Sequence, residues 1–282
     1  MTPANLLCGQ SVWTDTEKKL TSIAKTFEGE VCAVTGACGS IGSALMSALK
    51  MGGAEVFGVD QDEYAVSQSE GVLLGDVDDL PVHEVSYVFH AAAYKHVSLA
   101  ETHRGLFYRN NVEKTASLWK KLKFFPQAKG ILVSSDKAAG DSFLGWTKLE
   151  AERKTLEAGY VALRLVNTVG SRGSCVDQWN TSLKPWRGPG GTLRYWMGAQ
   201  DATLGLLEAI RLPSGVYSVL NVPEFSLGTI ANAWEQLNAK KLEIRDELRA
   251  GEAEREFLVS KKEKLVVMGD HLGQVKFDPK TK

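Results

Sequence analysis

The sequence predicts an α/β fold: a doubly wound parallel sheet with a smaller C-terminal lobe. Two observations carry this. From residue 30 to about 165, short apolar runs alternate with longer segments of helical period, the signature of repeated βαβ units and a parallel sheet. Within that stretch VTGACGSIGS (34–43) follows the first apolar run and opens a helical segment. In that context spaced glycines mark a Rossmann-type dinucleotide turn.

The expected strands are 31–35, 55–59, 71–74, 87–90, 130–134 and 161–165. Helices are expected over 40–50, 109–122 and 144–158, the last with interleaved acids and bases suited to a solvated face. After about residue 166 the pattern loosens into Gly, Pro, Trp and Arg. A helix is expected at 202–211, a strand at 215–220 and a helix at 227–237, before a charge-rich stretch, 242–268, that holds one apolar run, 265–268. The chain divides into a lead-in (1–29), a dinucleotide-binding domain (30–165) and a smaller lobe (166–282), part of which returns to the first domain. There is no internal repeat or low-complexity segment.

Each glycine of the turn has a distinct task. Gly36 permits the tight turn, Gly39 lets the backbone approach a pyrophosphate, and Gly42 lets helix and strand pack closely. Thr35 ends the strand, and Ser40, Ile41 and Gly42 open the helix, whose unpaired N–H groups face the phosphates. Asp60, 18 residues beyond Gly42 at the end of the second strand, is placed to accept hydrogen bonds from the adenosine ribose. A carboxylate there repels a 2'-phosphate, and Gln61 and Asp62 supply no arginine to bind one, so NAD is favoured over NADP. Asp76 and Val77, after the third strand, either flank the adenine or cap a turn.

Composition limits the partners. A hydrophobic share of 44% supports a packed core. The 33 Lys plus Arg nearly balance 34 Asp plus Glu, so no global field draws the chain to nucleic acid or an anionic membrane. Anionic ligands must be bound locally. The N-terminus lacks a signal-peptide pattern and no apolar run approaches the roughly 20 residues of a spanning helix, which predicts a cytoplasmic protein. Cys8, Cys32, Cys38 and Cys175 lack CxxC spacing and are expected reduced. His83, His103 and His271 have no metal-ligand spacing, so no metal is expected.

Four further segments carry a family resemblance: VFHAAAYKHV (88–97), SSDKA (134–138), NTVGSRGS (167–174) and RAGE (249–252). Together they resemble the extended short-chain dehydrogenases of the polysaccharide-biosynthesis type, the UDP-N-acetylglucosamine 4,6-dehydratases, over nearly the whole chain. The opening LLCGQ (6–10) is similar to the lead-in to the catalytic domain of the long membrane-anchored members. AAYKHV is close to diagnostic, GSRGS is strong in combination, and RAGE is weak alone, with Ala250 where the family has proline. Connecting loops are shortened, notably after Gly190, and the family's threonine-arginine-tyrosine stands here as Leu193-Arg194-Tyr195.

The resemblance implies a reaction and roles. A 4,6-dehydratase removes hydride from sugar C4 and a proton from C5, expels the C6 hydroxyl as water and returns hydride to C6, leaving the cofactor unchanged. It implies Asp136 as the acid at the departing hydroxyl and Lys137 as the base at C5, which requires a protonated aspartate and a neutral lysine for part of the cycle. Both follow the fifth strand, at the carboxyl edge where open α/β folds bind ligands. Lys148 is expected at the nicotinamide ribose, while Leu144 occupies the tyrosine position of the usual YxxxK pair. That departure argues against a simple reductase or C4 epimerase. Ala91, Ala92 and Ala93 let the backbone lie against the cofactor, with Tyr94, Lys95 and His96 toward the sugar. Ser135 either orients substrate or is structural, and Asn111 either supports the cofactor edge or is structural. For the UDP phosphates and ribose the candidates are Arg172, Arg194 and Arg249, with Asn167 and Glu252 as polar partners.

Three functions stay open at this stage: a dehydratase acting on a UDP-sugar, an epimerase or reductase on the same scaffold, and a catalytically silent NAD-binding protein. A homo-oligomer paired through 109–122 or 144–158 is expected by analogy.

Overall fold

A computed structural model describes residues 1–182, 186–187, 189–244 and 248–277. The first half builds β1 (Val31–Thr35), β2 (Glu55–Asp60), β3 (Val72–Leu74), β4 (Tyr87–His90), β5 (Lys129–Ser135) and β6 (Val161–Leu165). Its helices are α1 (Pro3–Leu7), α2 (Thr16–Lys25), α3 (Ser40–Met51), α4 (Glu63–Ser67), α5 (Val97–Thr102), α6 (Arg104–Tyr108), α7 (Lys114–Leu122) and α8 (Phe143–Glu157). The helix expected over 109–122 is divided: Arg109–Glu113 forms a π-helical turn before α7. Such turns insert one residue into the helical ladder and shift the side chains beyond it.

The second half adds β7 (Asn167–Thr168), α9 (Cys175–Thr181), β8 (Trp186–Arg187), β9 (Leu193–Met197), α10 (Ala199–Ala209), β10 (Gly215–Val219), β11 (Glu224–Ser226), α11 (Leu227–Asn238), β12 (Glu243–Ile244), β13 (Glu263–Val267) and β14 (Leu272–Phe277). The main sheet runs β13-β14-β10-β6-β5-β4-β1-β2-β3. It is parallel from β3 through β10 and antiparallel at β14 and β13. The chain beyond 166 therefore returns to this sheet through β10, β13 and β14, and the apolar run 265–268 is largely β13. Residues 245–247 of the charge-rich stretch lie outside the described residues.

β6 is buried at every position, as a central parallel strand covered on both faces must be. Arg164 within it is 1% exposed and is satisfied bidentately on two sides, by Glu152 of α8 and Glu263 of β13, at 2.8–2.9 Å. Glu152 also accepts from Ser134 Oγ at 2.6 Å. Four polar groups thus enter the core with their hydrogen-bonding capacity filled.

The lead-in is not a loose tail. Leu6 of α1 is fully buried with Trp179, Trp196, Ile230 and Trp234, which form the core of the smaller lobe. The segment between α1 and α2 is tied to α10 by Val12 N–H and Thr16 Oγ1 donating to Asp201 at 2.9 and 2.8 Å. No helix among the described residues is long and apolar enough to cross a membrane.

Candidate active site

β1 ends at Thr35, and the chain reverses at Gly36 with φ +65°, a conformation that favours glycine. A Cβ at Gly36 would stand 2.8 Å from the backbone of Ala92; one at Gly42 would stand 2.0 Å from the Gly36 carbonyl oxygen. The glycines therefore let the turn, α3 and the Ala91–Ala92 backbone touch. α3 starts at Gly39 with no side-chain cap, leaving its first N–H groups for a ligand. Asp60 braces the turn, accepting from Cys38 N–H at 2.9 Å and Asp62 N–H at 3.0 Å.

The 91–94 segment is held by a chain of hydrogen bonds that sequence reasoning missed. Thr115 Oγ1 donates to Asn111 O at 2.7 Å, so it must accept from His90 Nε2 at 2.8 Å. His90 is thereby the Nε2–H tautomer, and its Nδ1 accepts from Thr35 Oγ1 at 2.7 Å. Thr35 Oγ1 in turn accepts from Ala92 N–H at 3.2 Å. Burial pushes the His90 imidazole down to about 3, so it stays neutral. Asn111, displaced inward by the π-helical turn, accepts from Tyr94 N–H at 2.9 Å, and donates to Tyr94 O at 3.0 Å and Thr147 Oγ1 at 3.2 Å. His90 was invisible in advance because an apolar strand with one histidine reads as core.

A cavity of about 860 Å³ runs from the glycine turn, over the carboxyl edge of β4 and β5, into the smaller lobe. Gly36, Gly39, Ser40, Ile41, Gly42, Ala91 and Ala93 line one end. Asp136 and Lys137 stand at its middle on a 3-10 turn capped by Ser135, whose Oγ accepts Lys137 N–H at 3.3 Å and donates to Asp136 Oδ1 at 2.8 Å. The Asp136 side chain is fully buried and its Oδ2 has no hydrogen-bond partner. Burial first, and the nearby Glu256 carboxylate second, push its carboxyl up to about 7. Burial likewise draws the Lys148 ammonium down to about 8, and its Nζ donates to Val133 O at 3.3 Å. Leu144, one turn earlier on α8, is 1% exposed and offers no phenol.

Lys137 departs from what a resting base requires. Although burial opposes its charge, Asp136 and Glu256 together hold the ammonium above the ordinary lysine range. Its Nζ lies 3.0 Å from Glu256 Oε1 and 3.5 Å from Asp136 Oδ1, and donates to Asn167 Oδ1 at 3.3 Å. Glu256 is the second residue the sequence did not single out. It sits in the run Glu252-Ala253-Glu254-Arg255-Glu256, where no local signal distinguishes one acid from another.

The structure brings most of the remaining candidates to the same cavity: Tyr94, Lys95, His96, Asn167, Arg194, Arg249 and Glu252 all line it. Arg194 Nε pairs with Glu256 at 3.2 Å, Arg249 Nη2 donates to Gln178 Oε1 at 3.2 Å, and Glu252 accepts from Arg249 N–H at 3.2 Å. Four more candidates make contacts of their own. Arg172 lies at the cofactor end, its N–H on Ser40 Oγ at 2.9 Å and its guanidinium on Asp62 at 2.9 Å and Cys38 O at 3.3 Å. It clasps the glycine turn and lines the same cavity as Arg194 and Arg249. An arginine therefore does reach Asp62, from 110 residues away, where the local sequence has none. Asp76 caps its own turn through Val77 N–H and Asp79 N–H and pairs with Lys114, and Val77 is packed in the core. Asn111 orients the Tyr94 backbone from below the cavity.

The profile of the polysaccharide biosynthesis protein family matches residues 32–271. An uncharacterized membrane protein of Methanocaldococcus jannaschii is 30% identical over 223 residues, 68% of this chain and 66% of that protein. An inverting UDP-N-acetylglucosamine 4,6-dehydratase of Campylobacter jejuni is 27% identical over 210 residues, 66% of this chain and 61% of that enzyme. The chain thus spans less than two thirds of the length of these curated relatives. Among solved structures, Pen from Bacillus thuringiensis superposes with a TM-score of 0.80 at 23% identity, covering 90% of each chain. MoeE5, solved with UDP-glucuronic acid and NAD, gives 0.72 at 23% identity, covering 83% of this chain and 90% of its own. These confirm the Rossmann-type fold. With a family profile matched across the sheet, the glycine turn and the Asp136–Lys137 edge alike, the chain belongs to the polysaccharide biosynthesis protein family.

Proposed function

We propose that this protein is an NAD-dependent nucleotide-sugar 4,6-dehydratase that converts UDP-N-acetylglucosamine to a UDP-4-keto-6-deoxy sugar with loss of water, for glycan synthesis. The observation that carries the reading is Asp136, a buried carboxyl pushed up to about 7 by burial and by the adjoining Glu256 carboxylate, in one cavity with the glycine turn. A carboxyl that keeps its proton near neutral pH is what general-acid expulsion of a hydroxyl needs.

The residues present fit a dinucleotide. Gly36 and Gly42 form a cradle a Cβ would fill, the α3 N–H groups suit a pyrophosphate, and Lys148 suits the nicotinamide ribose. NAD, when bound, supplies reversible hydride acceptance. Asp136 then gives its proton to the departing C6 hydroxyl, and Lys137, after passing its resting proton to the Glu256 carboxylate 3.0 Å away, takes the proton from C5. Arg194 and Arg249 receive the diphosphate, with Asn167 and Glu252 on sugar and ribose. Arg172 closes the cofactor end. Asp60 supports NAD over NADP, and the Arg172–Asp62 pair leaves that arginine already engaged. Leu144 counts against an epimerase or reductase, which would deprotonate the C4 hydroxyl through a phenol at that position.

Incubation of the full chain with NAD and UDP-N-acetylglucosamine, followed by mass spectrometry, is expected to show a product lighter by one water, with no net NADH. A product of unchanged mass would establish an epimerase, and net NADH a simple dehydrogenase. No turnover with NAD bound would leave the silent binding protein. We also infer self-association through α7 and α8, next to which exposed Tyr108 at the end of α6 stacks on Trp146 of α8 with ring centroids 5.7 Å apart. A monomeric sedimentation profile would overturn that.

A further inference from the structure

Glu256 holds the centre of the cavity in a way that its sequence position does not announce. Its Oε1 accepts from Lys137 Nζ at 3.0 Å and Arg194 Nε at 3.2 Å, and its Oε2 from Asn167 Nδ2 at 2.7 Å. Asp136, whose carboxyl adjoins that of Glu256, has Ser135 Oγ at 2.8 Å and Lys137 only at 3.5 Å. Two buried carboxylates thus compete for one ammonium, and Glu256, with three donors against one close one, wins it. Where two carboxyls share a site, the less solvated one retains the proton.

We infer that Glu256 is a positioning residue: by drawing Lys137 toward the smaller lobe it leaves Asp136 as the carboxyl that carries the proton, and so sets which of the two can act as an acid. This rests on the dehydratase reading for its catalytic meaning, but the charge arrangement stands by itself. The other charged groups around the pair are Arg194 of β9, Lys148 of α8 and Lys95 after β4; Lys148 and Lys95 both feel the Lys137 charge. None of these three hydrogen-bonds Asp136 among the described contacts. The proton cycle also closes locally. Lys137 passes its resting proton to Glu256 at 3.0 Å and takes the C5 proton in its place, and the proton then on Glu256 replaces the one that the adjoining Asp136 has released.

The test is Glu256→Gln, nearly isosteric, with Glu256→Asp as the conservative companion. The Asp136 carboxyl is titrated by ¹³C NMR in the NAD-loaded full chain, assigned by its loss in Asp136→Asn. In Glu256→Gln, Lys137 loses its stronger anion and turns to Asp136, so the Asp136 midpoint is expected to fall by about one pH unit or more. The upper limb of the pH–rate profile should move down with it, and Glu256→Asp should restore part of both. An unmoved midpoint in a Glu256→Gln protein of wild-type melting temperature overturns the inference. A shifted midpoint in a protein that yields no dehydrated product would retain Glu256's role and reject the reaction. A dehydrated product with an unmoved midpoint would do the reverse.

Discussion

Gly42→Ala isolates the close approach on which the proposed dinucleotide binding depends. The added Cβ would lie 2.0 Å from the Gly36 carbonyl oxygen, 2.8 Å from its carbon and 2.9 Å from Ala37 Cα. Carbon atoms do not approach so closely, so the Gly36 carbonyl must retreat by about 1 Å. That movement weakens the Gly39 N–H bond to Gly36 O, 3.0 Å in the native turn. The Ala92 backbone, which already limits Gly36, gives no room on the other side. Overpacking costs about 1–3 kcal/mol, the loosened hydrogen bond about 1, and alanine returns about 1 through helix propensity. The net is a loss of about 2 kcal/mol. In a domain of this size that lowers the melting temperature by about 4–8 °C, and the displaced turn is expected to bind NAD more weakly than wild type. Scanning fluorimetry and titration calorimetry measure both. Ser43→Ala, exposed and one residue on, is the control and is expected within about 0.5 kcal/mol of wild type. A Gly42→Ala protein that melts and binds NAD like this control would refute the steric account.

Three other perturbations follow from buried charge. His90, held down to about 3 in the fold against 6.5 unfolded, contributes stability that is present above pH 6.5 and lost as pH falls toward 3. Between pH 6.5 and 5 this amounts to about 2 kcal/mol, and His90→Gln should flatten that slope in urea titrations; an unchanged slope would assign the acid sensitivity elsewhere. Asp136, raised to about 7 from 3.8, has the opposite sign: its contribution is present below pH 3.8 and lost as pH rises through 7. Asp136→Asn should therefore melt higher than wild type at pH 8, with the gap closing toward pH 4, while dehydration is abolished; a pH-independent gap would contradict the shifted carboxyl. Arg164→Leu leaves Glu152 and Glu263 without their partner and should cost about 3–5 kcal/mol in chemical denaturation, and a loss below about 1 kcal/mol would show the network to be dispensable.

The features legible in the sequence were those with short-range causes. The β1–turn–α3 unit, Asp60 and the strands through β6 follow from alternation, glycine spacing and turn position, all contained within about 30 residues. Asp136 and Lys137 were legible as a motif, but their proton states were not, since these depend on Glu256, some 120 residues later. The contacts of Arg172 were hidden for a related reason. Its motif indicates a ligand-binding loop, but only the fold decides that the loop crosses to Ser40 and Asp62. The π-helical turn at Arg109–Glu113 has no periodic signature, because one inserted residue disturbs a helical pattern less than sequence noise does. Similarly, the apolar run of β13 lies in a charge-rich stretch, and nothing local shows that it joins the main sheet or that Glu263 meets Arg164.

The pairing of Arg164 with Glu263 spans 99 residues of chain, and it gives the molecule an order of assembly. β6 lies beside β5, at the edge from which Asp136 and Lys137 project. Its arginine can enter the core with both bidentate partners only after residue 263 has left the ribosome. Until then a nascent chain holds a cation that solvent must keep, which opposes closure of α8 and β6 over it. The last strands of the sheet are therefore part of the support of β6, and through it of the neighbouring β5 edge that carries Asp136 and Lys137.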